Sequence, residues 1–462
     1  MLDRIPSAAR AATQGPAATS RRGFLKLSGG AAGGLLLGAL LPPSRAGAQT
    51  AAPAPGTVAT PEGLATPFVH ITPDNRVIVI VKHLDKGQGS ATGLATLVAD
   101  ELDAAIPQVS TEFAPANTAL YANTLLGVQG TGGSTAMANS WQQYREAGAT
   151  ARAMLVAAAA REWGVEPAAV TVEAGRLVAG EHAATFGEMA ALAAAEPVPE
   201  QVTPKTPDRW VYIGKSFPRV DMERKVHGSV DMFGMDVRLK DMAHGVSLRS
   251  PRFGGTLKSL DDAAARAMPG VIDVIRLPDR ATVIAETTWQ AIQARDALSA
   301  EWDFAKAENR GTDALRKEYA ALLDKPGHVL LAAEGTPPEG GRVLEADYFF
   351  PYLAHAPMEP LDVTVLFDGK SATFWTGSQI QTLDQTIGAS VLGLDPAQVA
   401  INTRWAGGSR TGSTARRSRA WAKARPTPSP AGQSTCTTPR SACRSCGGAR
   451  SGTPTRPMWS RR

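Results

Sequence analysis

Runs of β-branched residues alternate along the chain with stretches whose apolar residues recur at helical spacing. Val77-Ile78-Val79-Ile80-Val81 carries no polar alternation, which predicts a strand, Val77–Lys82, buried on both faces. From Ser90 to Leu102 the apolar residues Leu94, Leu97, Val98 and Leu102 predict a helix with one apolar face. A longer helix is predicted to run to Trp163, with Trp141, Tyr144, Gly148, Ala151, Leu155 and Ala158 along one side. Ser134 or Thr135 is its expected N-cap and Gly164 its expected stop. Residues 196–208 hold four prolines and read as a linker. Beyond them, 209–305 alternates short elements. Strands are expected at Met242–Ser250, Val271–Leu277 and Val283–Ala285, a short helix after Asp261-Asp262, and a helix over Thr287–Leu298. A polar connector is expected over 306–340, then a strand Val363–Phe367 and a second strand ending in Trp375-Thr376. The pattern is that of a multi-domain α+β protein.

Charge divides the chain more sharply than its average suggests. The net charge of +5 comes from both ends. Residues 410–462 hold eleven Arg and one Lys and no acid, whereas residues 49–409 hold 30 basic and 42 acidic side chains. An acidic body argues against nucleic acid as a partner, since duplex binding needs basic groups that displace counterions. All three cysteines, Cys436, Cys443 and Cys446, lie in the last segment, so the body has no thiolate zinc or iron–sulfur site. Cys443 and Cys446 have CxxC spacing but no second ligand pair, and no metal site is expected there.

Residues 1–48 read as an export signal. Ser20-Arg21-Arg22-Gly23-Phe24-Leu25-Lys26 is a twin-arginine motif, followed by a Gly-broken apolar stretch and by Ala46-Gly47-Ala48 as a cleavage site. The twin-arginine translocase would then be a partner, the periplasm the destination, and any cofactor would be loaded before export.

Two glycine-rich loops precede the two predicted helices. Gly87-Gln88-Gly89 follows the first strand, and Gln129-Gly130-Thr131-Gly132-Gly133-Ser134-Thr135 opens the long helix. Backbone amides at a helix start attract an anion, so both loops are candidate ligand sites, with helix capping as the plain alternative. Neither carries a dinucleotide fingerprint. His227 and His244 lack a second ligand at metal spacing and read as structural or surface. His355 lies between apolar neighbours and reads as packed more readily than as a base. Glu359, between Met358 and Pro360, is expected in an apolar setting that disfavours its charged form. Gln379 closes the second late strand, and Trp405-Ala406-Gly407-Gly408-Ser409 ends the ordered pattern.

Taken together, Gly-Gln-Gly, Thr-Gly-Gly-Ser-Thr, Ala354-His355-Ala356-Pro357-Met358-Glu359-Pro360, Trp375-Thr376-Gly377-Ser378-Gln379 and Trp405-Ala406-Gly407-Gly408 resemble the molybdopterin-binding subunit of the xanthine dehydrogenase and aldehyde oxidase family, in its isoquinoline 1-oxidoreductase branch. The resemblance implies an N-terminal molybdopterin-binding segment over 62–196, a hammerhead-type α/β domain over 209–305 and the start of the main molybdopterin-binding domain over 341–409. It assigns cofactor contacts to Gly87, Gln88, Gly89, Thr131, Gly132, Gly133, Ser134, Thr135, Gln379, Gly407 and Gly408. The implied cofactor is molybdopterin, as molybdopterin cytosine dinucleotide. The implied chemistry is molybdenum hydroxylation of an aldehyde or N-heterocycle, with electrons passed to a small iron–sulfur subunit.

Past Ser409 the resemblance ends. Residues 410–462 contain no Val, Ile, Leu, Phe or Tyr, cannot bury enough apolar surface to offset ordering, and are expected to be a disordered basic tail. Out-of-frame translation of a GC-rich gene explains that composition better than a basic arm or a linker. The family's catalytic glutamate falls in the part not matched here, so no residue receives that role, no metal ligand is assigned, and the chain is expected to be incomplete and inactive alone. A non-enzymatic periplasmic protein that binds an anion at its glycine-rich helix starts is the alternative.

Overall fold

The computed structural model describes residues 64–228, 231–327, 340–342, 344–408 and 433–436. The expected export signal, and most of the expected tail, lie outside them.

The first unit is built on a four-stranded sheet, β1 (Leu64–Ala65), β2 (Val69–Ile71), β3 (Val77–Val81) and β4 (Val109–Phe113), in that spatial order. β2 and β3 are antiparallel, with Val69 opposite Val79. β3 and β4 are parallel, with Val77 opposite Val109. Parallel neighbours need a crossover, which α1 (Ser90–Leu102) supplies. Four residues of β3 are buried and Ile80 partly so, as the unbroken apolar run requires. α1 is buried almost all round, because α2 (Ala136–Trp163) packs over it. Tyr144, Gly148, Ala151, Leu155 and Ala158 form the buried face of α2, and Gly164 ends it in the left-handed region. A small antiparallel sheet, β5 (Thr171–Glu173), β6 (Arg176–Ala179) and β7 (His182–Thr185), follows, and α3 (Phe186–Ala194) closes the core.

Residues 196–208, expected as a linker, are pinned instead. The Lys205 amide donates to Glu101 Oε2 at 2.8 Å and its Nζ pairs with Asp103 at 2.5 Å. Arg145 pairs with Glu101 at 2.7 Å and donates to the Lys205 carbonyl. The boundary expected at 209 also moves. The amides of Val211, Tyr212 and Ile213 all donate to Asp100 Oδ2, at 3.0, 2.7 and 2.8 Å, which holds this stretch on the first unit. A buried carboxylate at the end of α1 must be hydrogen-bonded, and it recruits this backbone to do so.

The second unit begins at β8 (Met242–Arg249). β10 (Val271–Leu277) and β11 (Arg280–Ala285) extend it as an antiparallel array. A helical turn, Ala263–Arg266, and α4 (Thr288–Asp296) pack against these strands. β9 (Thr256–Asp261) and β12 (Ser299–Asp303) form a separate antiparallel pair that was not expected; β12 alternates exposed and half-buried positions over only five residues, while β9 breaks the alternation. The connector expected at 306–340 contains α5 (Thr312–Leu323), on which no residue is buried. Residues 344–356 are exposed, Phe349 and His355 included, so His355 is not packed as expected.

The third unit repeats the topology of the first. β13 (Val363–Phe367) is antiparallel to β14 (Ala372–Thr376), and β14 is parallel to β15 (Val399–Thr403) across α6 (Gln381–Leu392). Val363, Val365, Phe374, Ala389, Val399 and Ile401 form its core. A strand within the expected disordered tail, β16 (Gln433–Cys436), lies between β8 and β13 and joins the second and third units into a seven-stranded sheet. Backbone pairing holds it there, which composition does not register.

Candidate functional site

Both β–α–β units place a loop at the carboxyl end of their central strand, before a helix N-terminus. In the first unit the loop is Lys82–Gly89. Lys82, His83, Leu84 and Asp85 are all buried, which puts three ionisable side chains out of solvent directly after a core strand. Lys82 Nζ donates to Gln143 Oε1 at 2.6 Å and to the Ala122 carbonyl at 3.1 Å, and burial lowers its pKa to about 8. His83 Nε2 lies 3.0 Å from Ser140 Oγ. Burial, with Lys82 adding to it, lowers the His83 imidazole to about 4 and keeps it neutral near pH 7.

Asp85 organises the Gly-Gln-Gly loop. Its Oδ1 accepts from the Gly87 amide at 2.8 Å and the Gly89 amide at 3.4 Å, and its Oδ2 accepts from the Ala91 amide at 2.9 Å. The start of α1 therefore already holds an anion, a carboxylate of this chain with no exposed surface. Gln88 is likewise engaged: its amide donates to the Leu84 carbonyl at 2.8 Å and Ser90 Oγ at 3.1 Å, and its oxygen accepts from the Lys86 amide at 2.8 Å. Gly87 and Gly89 have φ of 114° and 87°, which fits the tight turn around Asp85.

The second glycine-rich loop is built differently. Neither Ser134 nor Thr135 caps α2: Thr135 precedes the helix, but its hydroxyl donates to the Gly132 carbonyl at 2.7 Å and accepts from Asn123 Nδ2 at 2.7 Å. Turning of the hydroxyl toward the loop leaves α2 without a side-chain cap. Nothing lies within 4 Å of where a Cβ on Gly132 would point. Thr131 joins this loop to the first, because its hydroxyl accepts from the Leu84 amide at 2.9 Å.

Distant sequence completes the site. The Gln379 side chain donates to the Thr131 carbonyl at 2.9 Å, and the Gln379 carbonyl accepts from the Thr131 amide at 2.8 Å. Thr382 Oγ1 accepts from the Gln129 amide at 2.9 Å and lies 2.6 Å from Thr118 Oγ1. The Ala406 amide approaches the Asp85 carbonyl at 3.5 Å. Glu359, expected in an apolar setting, instead accepts from two backbone amides, Gly407 at 2.7 Å and Met235 at 3.3 Å. A Cβ on Gly407 would lie 2.5 Å from Glu359 Cβ, and one on Gly408 would lie 2.2 Å from Pro357 Cβ, so both glycines serve close packing of this turn. His227 is exposed and His244 bonds Thr288 Oγ1 at 2.9 Å, both remote from these loops in the bonding pattern.

Two matches to family models divide along the same line. Molybdopterin cofactor-binding domain models match residues 44–225 and 335–410. The beta subunit of isoquinoline 1-oxidoreductase from Brevundimonas diminuta is 27% identical over 439 residues, covering 84% of this chain and 55% of the relative. A nicotinate dehydrogenase component from Pseudomonas putida is 29% identical over 358 residues, covering 72% of this chain and 29% of the relative. The chain belongs to the xanthine dehydrogenase and aldehyde oxidase family. It spans about half the length of the isoquinoline relative, 55%. A solved aldehyde oxidoreductase from Desulfovibrio desulfuricans aligns at 18% identity and a TM-score of 0.36, over 55% of this chain and 34% of that one.

Within the family assignment, the loops at 85–91 and 129–135 come from the first matched segment, and Gln379, Gly407 and Gly408 from the second. The two segments meet at the Thr131–Gln379 pair, and also at Gln129–Thr382, Thr118–Thr382 and Asp85–Ala406. The residues at the start of α2 fit a group bearing oxygen acceptors, since the helix has no side-chain cap and Gly132 borders open space. The start of α1 does not, because Asp85 fills it. Pattern reading missed Asp85, His83 and Lys82. Their one signal was a polar run following a strand whose neighbours were all apolar.

Proposed function

We propose that this chain is the molybdopterin-binding portion of a molybdenum hydroxylase that oxidises an aldehyde or an N-heterocycle. The observation that carries the reading is convergence: loops from 84–91, 129–135 and 377–382 meet at Thr131 beside the uncapped start of α2, and 404–408 joins them through the Ala406–Asp85 contact, although they are far apart in sequence. Gly132, Gly133, Ser134 and Thr135 would offer backbone amides and hydroxyls to the cofactor, and Thr131 and Gln379 would fix the loop that presents them. When bound, the molybdenum centre supplies the two-electron oxidation and the oxygen insertion. The buried His83, 3.0 Å from Ser140 Oγ, and the Leu84–Thr131 bond would brace this loop against the start of α2. We read the cofactor as molybdopterin cytosine dinucleotide and the second unit as a hammerhead-type domain. No cysteine precedes Cys436, so an iron–sulfur subunit is the proposed electron acceptor. The motif at Ser20–Lys26 supports export to the periplasm by the twin-arginine translocase after the cofactor is loaded.

The test is the pterin and molybdenum content of the full chain purified from a host that makes the cofactor. Near-stoichiometric pterin is expected, and its absence overturns the reading. Replacing Arg21-Arg22 by Lys-Lys is expected to retain the protein in the cytoplasm, and unchanged export would overturn the targeting proposal.

A further inference from the structure

At the end of the first matched segment runs a short stretch, Arg219 to Lys225, that touches the Gly87-Gln88-Gly89 loop and Trp405 of the second matched segment. Arg219 Nη1 donates to the Gly87 carbonyl at 3.2 Å, and its Nη2 lies 4.0 Å from Asp85 Oδ1. The Val220 amide donates to Thr92 Oγ1 at 3.3 Å, which seats the stretch on the first turn of α1. Arg219 also grips Asp221 with two hydrogen bonds, Nε to Oδ1 at 3.0 Å and Nη2 to Oδ2 at 2.8 Å. The same Asp221 Oδ2 accepts from Lys225 Nζ at 2.5 Å. The ammonium of Lys225 lies 4.3 Å from the centre of the Trp405 ring and 6.0 Å from that of Phe233. Trp405 is held in turn by its amide on the Met232 carbonyl at 3.2 Å and by Phe113, 5.0 Å away in an edge-to-face contact. Directly after it, Ala406 and Gly407 bond Asp85 and Glu359.

We propose that Arg219, Asp221 and Lys225 are positioning residues: a charged strap that fixes the Gly87-Gln88-Gly89 loop against the Ala406-Gly407-Gly408 turn, and so sets the frame in which the cofactor is held. The inference rests on the cofactor reading above. Asp221 is the keystone, 1% exposed, with both cations bonded to it. Burial alone would raise its pKa, but the hydrogen bonds from Arg219 and Lys225 outweigh that and hold it at about 2. The ion pairs are too specific in direction to be general surface charge: the guanidinium that grips Asp221 with two bonds gives a third to the Gly87 carbonyl, and the ammonium faces the Trp405 ring just before the Ala406-Gly407-Gly408 turn. Neither cation touches the start of α2, so the strap acts on the loops and not on the cofactor itself.

The experiment uses the full chain from a cofactor-making host, with Asp221→Asn, Asp221→Glu and Lys225→Met beside the unaltered protein. Two quantities are read: bound pterin after dialysis, and hydrogen exchange at the amides of Gly87, Gly89, Ala91, Ala406 and Gly407. Asp221→Asn is expected to lose pterin roughly tenfold faster, as for loss of a group that orients a ligand shell. The five amides should lose protection in that variant while those of β3 stay unchanged, and Asp221→Glu should recover much of both. Lys225→Met, the milder change, should expose Ala406 and Gly407 but not Gly87. Unchanged exchange in Asp221→Asn and in Lys225→Met overturns the strap. Pterin-free unaltered protein overturns the cofactor reading instead, and the exchange data then decide the strap alone. If Asp221→Asn does not fold, Lys225→Met carries the decision.

Discussion

Gln379 and Thr131 hold each other by a closed pair of hydrogen bonds, the side-chain amide of one on the carbonyl of the other at 2.9 Å and the main-chain amide returned at 2.8 Å. The two residues lie in different matched segments, so this pair and the Thr382 contacts beside it form the seam of the site. Breaking the seam should loosen the loop before α2 without unfolding either core.

Thr382→Val keeps the shape but removes the oxygen that the Gln129 amide and Thr118 hydroxyl share. An unpaired donor at such a position costs about 1–3 kcal/mol. Urea unfolding should show a loss in that range, and a loss below about 0.5 kcal/mol would mean that water replaces the threonine.

Gly407→Ala places a methyl group 2.5 Å from Glu359 Cβ and 3.0 Å from its backbone nitrogen. The turn cannot yield without breaking the Gly407–Glu359 bond. Overpacking of this kind costs about 1–3 kcal/mol. Gly132→Ala, which meets open space, should leave stability within about 0.5 kcal/mol of the unaltered chain. Thermal unfolding of the pair checks the contrast, and equal losses would contradict the packing described.

Asp85→Ala strips three amides of their acceptor at once. Loss of a single cap costs about 0.5–2 kcal/mol, and here the amides are partly or fully buried, so the upper part of that range is expected. Asp85→Asn should recover part of the loss. A further outcome is diagnostic: phosphate should stabilise Asp85→Ala more than the unaltered protein, because it can take the vacated helix start.

His83 gives the fold a dependence on pH. Its pKa is lowered from 6.5 to about 4 by burial, so between those values the unfolded chain takes up a proton that the folded chain refuses. Stability from this group is fully present above pH 6.5, falls as the pH drops toward 4, and changes little below that. His83→Gln should flatten that part of the profile relative to the unaltered protein. Parallel melting curves across pH 4–7 would refute the assignment.

Asp221 works in a separate window. Its pKa is held at about 2 against an ordinary 3.8, so its contribution is present above 3.8 and is lost as the pH falls through 2. The stability gap between the unaltered chain and Asp221→Asn should therefore close between pH 4 and pH 2.

Local pattern determined much of this protein. The buried run Val77–Val81, the helix Ser90–Leu102 and the long helix to Trp163 were legible because periodicity and end signals agreed within each segment. The glycine-rich loops were legible too, as turns before helices. What fills each helix start is also local, though periodicity does not register it: Asp85 accepts from amides two to six residues on, and Thr135 turns its hydroxyl to the Gly132 carbonyl three residues back. Tertiary structure decided what each loop meets, as when Gln379 closes on Thr131. The prolines of 196–208 suggested a linker, yet a partner 104 residues back, Glu101, pins Lys205. The apolar neighbours of Glu359 suggested an apolar pocket, yet its partners are amides of Met235 and Gly407. Strand Gln433–Cys436 lies in a segment whose composition predicts disorder, because backbone pairing to β8 and β13 does not depend on apolar side chains. Sequence fixes the periodicity of each element, since that is a property of neighbours three or four residues apart. Where a buried polar group finds its partner depends on chain that returns from hundreds of residues away, and only the folded arrangement specifies it.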